Sequence, residues 1–471
     1  DGLPCLEARR SATASVFQPR RTAFGSHAPC YGASDAEGSF VARGSIVKIL
    51  EQGQDIPGME AAYYGSFASD YALNADGMLA VTTSIKGLSG LRDDSVGVWL
   101  GDEGSLRLIA KVGDSAPGSL GGFYRTLPQV PSINPLGEVS FKGSYGYKDG
   151  GPYRNGLWIE RDDALTLVVS DRDPVPGIEG AGFFNAADEF EVNARGDAVF
   201  NGSFSGEASG FGDGIWLALN GREEIVPVAV EGQLAPDADG AVFSAVGSSL
   251  PFGVPMISDQ GDVLFLGSVL GGEEDDAGAF LGLWRYREGS LSLLARTDSP
   301  APGIPGATFK TMGTPVLNRA GQAAFIARIN RDDATTSGVG DGQGLWLAGS
   351  NNELRKLLVA GDIVDVESNP SLQDLRVIES IDVAGNGGAS SGRPSPFNAR
   401  GELGVRLTFT DGSSGVFIVN TIVPEPSTLV IGVVAILAAS ISSQPRVFRP
   451  GRTAGFVQQC EVGTSPPPNS A

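Results

Sequence analysis

Between residues 39 and 420 the apolar residues of this chain stand in short alternating runs broken by turns, rather than at helical spacing. Alternation sends successive side chains to opposite faces, so each run reads as a half-buried strand bounded by Gly, Asn and Pro. The class this predicts is all-β, built of many short antiparallel strands.

The runs repeat. A Gly-x-Trp step recurs at Gly97-Val98-Trp99, Gly156-Leu157-Trp158, Gly214-Ile215-Trp216, Gly282-Leu283-Trp284 and Gly344-Leu345-Trp346, and ends in a Phe version at Gly415-Val416-Phe417. All five tryptophans of the chain occupy this one position. A second marker, Asn-x-x-Gly before an apolar strand, falls at Asn74/Gly77, Asn134/Gly137, Asn193/Gly196, Asn318/Gly321 and Asn398/Gly401, with Ser258/Gly261 in the remaining slot. A third is a Gly-Asp-like turn ending in Pro-Gly at residues 54–58, 113–118, 171–177 and 297–303, with degraded forms near Gly232 and Gly361.

Residues 106–164 serve as the example of one unit, with strands at 106–111, 123–133, 138–142 and 156–159, labelled a to d. Four antiparallel strands in a repeat of about 60 residues suit a propeller blade better than a solenoid turn. Six such repeats over residues 39–420 predict a six-bladed β-propeller, with the tryptophans filling the gaps between blades. Residues 39–42 resemble an isolated d strand and residues 415–420 the last one; one of the two is expected to close the ring.

In such a meander the tight b–c and d–a turns emerge at one end, and the longer c–d and a–b connections at the other. The long loops at residues 143–155, 271–281, 330–343 and 384–393 therefore share a face, which is where recognition is expected. Tyr145, Tyr147 and Tyr153 in the first of these loops are the candidate ligand-binding residues. Their rings would stack on a sugar while Asp149 or Asn155 bonds its hydroxyls.

Composition narrows the chemistry. The 67 glycines and 29 prolines agree with many turns. Acidic residues outnumber basic ones 55 to 34, for a net charge of −21 and no basic stripe, which argues against nucleic acid as a partner. The three cysteines, Cys5, Cys30 and Cys460, lie in the terminal segments, so neither disulfides nor thiolate metal sites are expected between them. His27 is the single histidine and lies outside the repeats, which removes Ser-His or Cys-His nucleophiles and His-based zinc from them. Carboxylates remain: Asp93, Asp94, Asp162, Asp163, Glu273, Glu274, Asp275, Asp276, Asp332 and Asp333. They read first as solvated loop charges, with glycoside hydrolysis or calcium binding as the chemical alternatives. No cofactor is expected; calcium is the one ion the composition suggests.

After the last repeat come Val423-Pro424-Glu425-Pro426-Ser427-Thr428, an apolar run at residues 429–441, and then Arg446, Arg449 and Arg452. This order resembles the PEP-CTERM sorting signal of Gram-negative bacteria, with Pro424, Glu425 and Pro426 as the sorting motif. The resemblance implies export, transient anchoring in the inner membrane, processing by an exosortase-type enzyme, and a place at the cell surface or in the extracellular matrix. The repeats are similar to bacterial choice-of-anchor tandem repeats with an Asn-x-x-Gly-x-x-Ala-Phe signature, matched fully by Asn318-Arg-Ala-Gly-Gln-Ala-Ala-Phe325 and, but for Val199, by residues 193–200.

The expected organisation is an irregular segment at 1–38, the propeller at 39–420, the sorting and anchor segment at 421–452 and a disordered tail at 453–471. The expected function is that of an exported, non-catalytic scaffold for exopolysaccharide or envelope proteins. The alternatives are a propeller-fold polysaccharide hydrolase or lyase, the lyase using Tyr with Arg or Lys, and a calcium-dependent cohesion protein.

Overall fold

The computed structural model describes residues 48–67, 71–87, 95–102, 105–128, 131–220, 224–246, 250–271, 279–331, 342–367, 372–383 and 395–421. All of them belong to one compact unit, Asp1–Val423. Pro424, Glu425, Pro426 and the segments on either side of the repeats lie outside the described residues.

The secondary structure is all-β, in six antiparallel sheets that follow one another along the chain. The second sheet shows the plan: Phe123–Thr126 and Ser132–Ile133 share one edge, followed by Val139–Gly146, Arg154–Arg161 and, on the far edge, Ala164–Ser170. The expected b strand at 123–133 is therefore two short pieces. The ladder slips between Tyr124 and Thr126, which lets the strand turn away from its partner before rejoining it.

The repeat also has a different phase from the one expected. Ser105–Lys111, the a strand of the 106–164 unit, pairs with Ser95–Asp102 and so completes the preceding sheet. The d–a turns impose this. In the second sheet the turn is Asp162-Asp163, with φ of 49° and 62°, the two-residue left-handed geometry that makes consecutive strands neighbours.

Each marker has a structural reason. In Gly-x-Trp, residues i and i+2 face the same side, and the indole lies over the glycine. A Cβ on Gly156 would meet the Trp158 ring at 2.7 Å, and one on Gly214 or Gly344 would meet its own repeat's indole at 2.5 Å. The Pro-Gly turn then supplies the indole's partner: Trp158 Nε1 donates to the Pro117 carbonyl at 3.0 Å, Trp216 to Pro176 at 3.2 Å and Trp346 to Pro302 at 3.1 Å. The first and fourth repeats depart from this. Trp99 donates instead to Thr83 Oγ1. Trp284, whose turn reads Pro236-Asp237, has a buried Nε1 with no partner among the described residues.

The indoles are core residues lying between sheets. Trp216, with Phe183 and Phe200 of its own sheet, packs on Leu157 and Ile159 of the sheet before it, and the same arrangement recurs for Trp158, Trp284 and Trp346.

The Asn-x-x-Gly marker joins the sheets at the edge where they meet. Asn134 Oδ1 accepts from the backbone N–H of Leu136 and Glu138, both at 3.0 Å, which closes its own turn. Its Nδ2 donates to the Asn193 carbonyl at 3.0 Å, in the next repeat. Asn74 reaches Asn134, Asn193 reaches Ser258, and Asn318 reaches Asn398 in the same way. The glycine of each turn has φ between 75° and 88°, a region costly for any residue with a Cβ.

Ser258 closes its turn through Oγ but has no amide to reach the fifth sheet. A backbone bond from Asp259 N–H to the Arg319 carbonyl substitutes there. So does Arg285, which is buried and donates to the carbonyls of Gly321 and Gly349 and to Asn352 Oδ1. Burial lowers its guanidinium pKa to about 10. Leu100, Ile159, Leu217 and Leu347 hold the equivalent position in other sheets.

Two outcomes are expected in urea unfolding. Asn318→Ala lowers stability by roughly 2–4 kcal/mol, whereas Asn318→Ser, which keeps the acceptor used by Ser258, costs about 1 kcal/mol. Arg285→Leu, although it installs the residue type of other repeats, costs about 2 kcal/mol because it strands the buried Gly321 carbonyl and removes two further bonds to the fifth sheet.

Candidate functional site

Strand direction puts the c–d loops and the a–b connections at one end of the sheets and the tight turns at the other. The loop of the second sheet is described throughout, and it is shorter than expected: Val139–Gly146 and Arg154–Arg161 continue pairing up to Tyr145 opposite Arg154, leaving residues 147–153. Most of the other three candidate loops lies outside the described residues, as do Asp93, Asp94, Glu273, Glu274, Asp275, Asp276, Asp332 and Asp333.

The three tyrosines separate by depth. Tyr145 lies on the strand and is buried against Trp158, with ring centroids 5.8 Å apart. Tyr147 is half-buried, and its hydroxyl donates to the Ser119 carbonyl at 2.9 Å. Tyr153 is exposed, so its ring is the one open to a ligand. The expected platform thus contracts to Tyr153 with the edge of Tyr147.

Around these rings stand cations that sequence reasoning missed. The Arg125 guanidinium lies 5.9 Å from the Tyr153 ring centre and donates to the Tyr147 carbonyl. Arg154 lies 5.8 Å from the Tyr147 ring, and Lys148 4.8 Å from that of Phe123. Among the described residues none of Arg125, Lys148 and Arg154 forms an ion pair. Lys148 and Arg154 were legible as neighbours of the tyrosines. Arg125 was not, because it comes from another strand.

The turn end is different. Arg161 pairs with Glu138, Arg195 with Asp197, Arg287 with Asp262 and Arg400 with Glu402, so charge there is locally neutralised. Asp162 and Asp163 also lie at that end as hairpin residues, Asp163 beside Arg107, which makes them turn formers.

Asn155 faces inward and is not free for a ligand. Its backbone N–H and Nδ2 both donate to Asp171, at 2.7 and 3.1 Å, and Asp171 also accepts from Ala186 N–H of the third sheet. Burial raises the Asp171 pKa above 3.8 despite these bonds. This carboxylate anchors the base of the loop to the neighbouring sheet.

The loop end of the third sheet adds an exposed ring pair, Phe184 and Phe211, with centroids 5.9 Å apart. The fourth sheet adds an open apolar cleft of about 500 Å³ lined by Leu250, Phe252, Phe280 and Leu281, with Arg296 over the Phe280 ring at 4.8 Å. Among the described residues no three His, Cys, Asp or Glu side chains are grouped to hold a metal ion.

Fold and surface define an all-β tandem-repeat protein whose loop end carries exposed rings and cations that form no ion pair among the described residues. The chain belongs to DUF7453, a family of unknown function, whose model matches residues 20–153 and 146–430.

Comparison with the curated proteins finds no match. Among solved structures, an oligogalacturonate lyase in complex with manganese is similar over 75% of this chain and 77% of its own, at 12% identity and a TM-score of 0.34. The β-propeller domain of the trilobed protease from Pyrococcus furiosus is similar over 77% and 96%, at 9% identity and a TM-score of 0.33. An α-L-arabinofuranosidase from Fusarium graminearum is similar over 61% and 90%, at 12% identity and a TM-score of 0.28. Likenesses at these scores carry no argument about this chain's activity or ligands.

The raised Asp171 pKa fixes the sign of a pH effect. A carboxyl whose native pKa lies above its unfolded one contributes a penalty that is absent at low pH and grows as pH rises through the native value. The stability difference between Asp171→Asn and the parent is therefore expected to move in the variant's favour as pH rises from 3.8 to that value, then level off, in unfolding curves measured across that range.

Proposed function

We propose that the six sheets are the blades of one six-bladed β-propeller, and that the protein is an exported, non-catalytic surface or matrix scaffold that binds acidic polysaccharide at its loop end. The observation that carries the ligand is the set of cations Arg125, Lys148 and Arg154, which form no ion pair among the described residues and stand about Tyr147, Tyr153 and Phe123. A sugar ring stacks on an exposed aromatic face through its C–H groups, and a guanidinium beside it bonds a carboxylate in a forked pair. The net charge of −21 opposes a polyanion at long range. At physiological ionic strength that field is screened beyond about 8 Å, so the local patch decides.

Export rests on Pro424-Glu425-Pro426, the apolar run after it and the arginines that follow. In this reading an exosortase-type enzyme processes the chain after transient anchoring in the inner membrane. The non-catalytic reading is favoured over a lyase in which Tyr147 acts as base, because the Tyr147 hydroxyl is committed to the Ser119 carbonyl.

Electrophoresis of the full chain through native gels containing alginate, polygalacturonate or dextran tests the ligand. Retardation is expected in the two acidic gels only, without release of unsaturated or reducing products. Tyr153→Ala and Arg154→Ala are each expected to weaken retention roughly tenfold, equivalent to about 1.4 kcal/mol. Equal mobility in all three gels would overturn the acidic-glycan reading.

A further inference from the structure

Tyr153 and Arg125 of the second sheet have counterparts in the third. Phe211 stands three residues before Gly214, as Tyr153 stands three before Gly156, and the two rings are 83% and 67% exposed. The b strands match as well. Their ladders slip between Tyr124 and Thr126 and between Phe183 and Asn185, so Arg125 and Phe184 are the extra residues of equivalent bulges. A bulge re-aims the side chain it carries. Here both point to the loop ring of their own sheet: the Arg125 guanidinium lies 5.9 Å from the centre of Tyr153, and the Phe184 ring 5.9 Å from that of Phe211.

Packing does not dictate what stands at this position. The residue before the bulge is a buried aromatic set edge-on to the indole of its own repeat, Tyr124 on Trp158, Phe183 on Trp216 and Phe309 on Trp346. The slip recurs in the fifth and sixth sheets, yet the bulged residue changes from Arg125 and Phe184 to Lys310 and Glu379. A fixed geometry with a changing side chain, set at the loop end, is the signature of recognition rather than of the core.

The two sites are held in fixed relation by one carboxylate. Asp171 accepts from the N–H of Asn155, two residues after Tyr153, and from the N–H of Ala186, two residues after Phe184. Lys142, on the c strand of the second sheet, adds bonds to Asn185 Oδ1 at 3.2 Å and Asp188 Oδ1 at 3.1 Å in the third. Sheets packed face to face lie about 10 Å apart, a distance that one short oligosaccharide bridges.

We propose that Arg125–Tyr153 and Phe184–Phe211 are neighbouring subsites for a single polysaccharide chain that runs from the second sheet to the third. The first subsite takes an acidic sugar, through stacking on Tyr153 and a charged bond from the guanidinium beside it. The second has a phenyl ring where the first has the guanidinium, so it holds its sugar by stacking on Phe211, which Phe184 braces edge-on at 79°. A chain seated at the first subsite brings its next units to the second without a new encounter, so the two contributions multiply.

Both subsites rest on the reading of the loop end as an acidic-glycan site, and one set of gels separates the two. The full chain and its Phe211→Ala, Phe211→Tyr and Tyr153→Ala variants are run through native gels containing polygalacturonate. Phe211→Ala is expected to weaken retention about tenfold, and Phe211→Tyr, which keeps a stacking face, to restore it. Retention of Phe211→Ala equal to that of the parent, with Tyr153→Ala weakened, would overturn the second subsite and leave the acidic-glycan reading standing. A loss in Phe211→Tyr as large as in Phe211→Ala would also overturn it, because a ring at that position would then not suffice. A parent that polygalacturonate does not retard would overturn both readings.

Discussion

A single buried carboxamide does two things in most repeats of this fold, and the arrangement of the sheets depends on it. Its oxygen accepts two backbone N–H groups of its own turn, which sets the b–c connection. Its nitrogen donates to a carbonyl in the following sheet, which fixes the distance between neighbours. A buried amide left without partners is costly, so the two sets of bonds hold together. The fourth repeat shows the requirement by exception. Serine there keeps the turn but loses the donor, and a buried arginine together with a backbone bond joins that sheet to the next.

The other markers interlock around the same boundary. Glycine clears space for the indole, the proline carbonyl takes the indole N–H, and aliphatic residues of the preceding sheet cover the ring. Most of the rigid framework therefore lies at the sheet boundaries and the turn end, where the charges are also paired. The c–d loop of the second sheet, at the opposite end, carries none of these duties. It is pinned at its base by Asp171 and held further out by Tyr147, and it presents Tyr153 beside Arg125.

The fold was legible in the sequence because each structural duty demands a particular residue type and recurs in nearly every repeat. Asn, Gly, Trp and Pro at fixed spacing identify the turns, the strand order and the all-β class. The phase of the repeat was less legible, since a four-strand period reads equally well from any starting strand. Only the pairing of Ser105–Lys111 with the sheet before it decides where a sheet ends. The candidate site was legible in part. Tyr147, Lys148, Tyr153 and Arg154 are neighbours in the chain, but local sequence does not say that Tyr145 lies on a strand facing the core.

What the sequence by itself determined is the repeat, its turn chemistry and the end at which variable loops emerge, because these follow from contacts within one unit. What the tertiary structure decided is which tyrosine is exposed, that Arg125 comes to lie beside Tyr153 from a different strand, and that Asn155 turns inward to Asp171. These depend on distances between residues far apart in the chain or on different sheets, and the alternation of apolar and polar residues within one strand does not encode such distances.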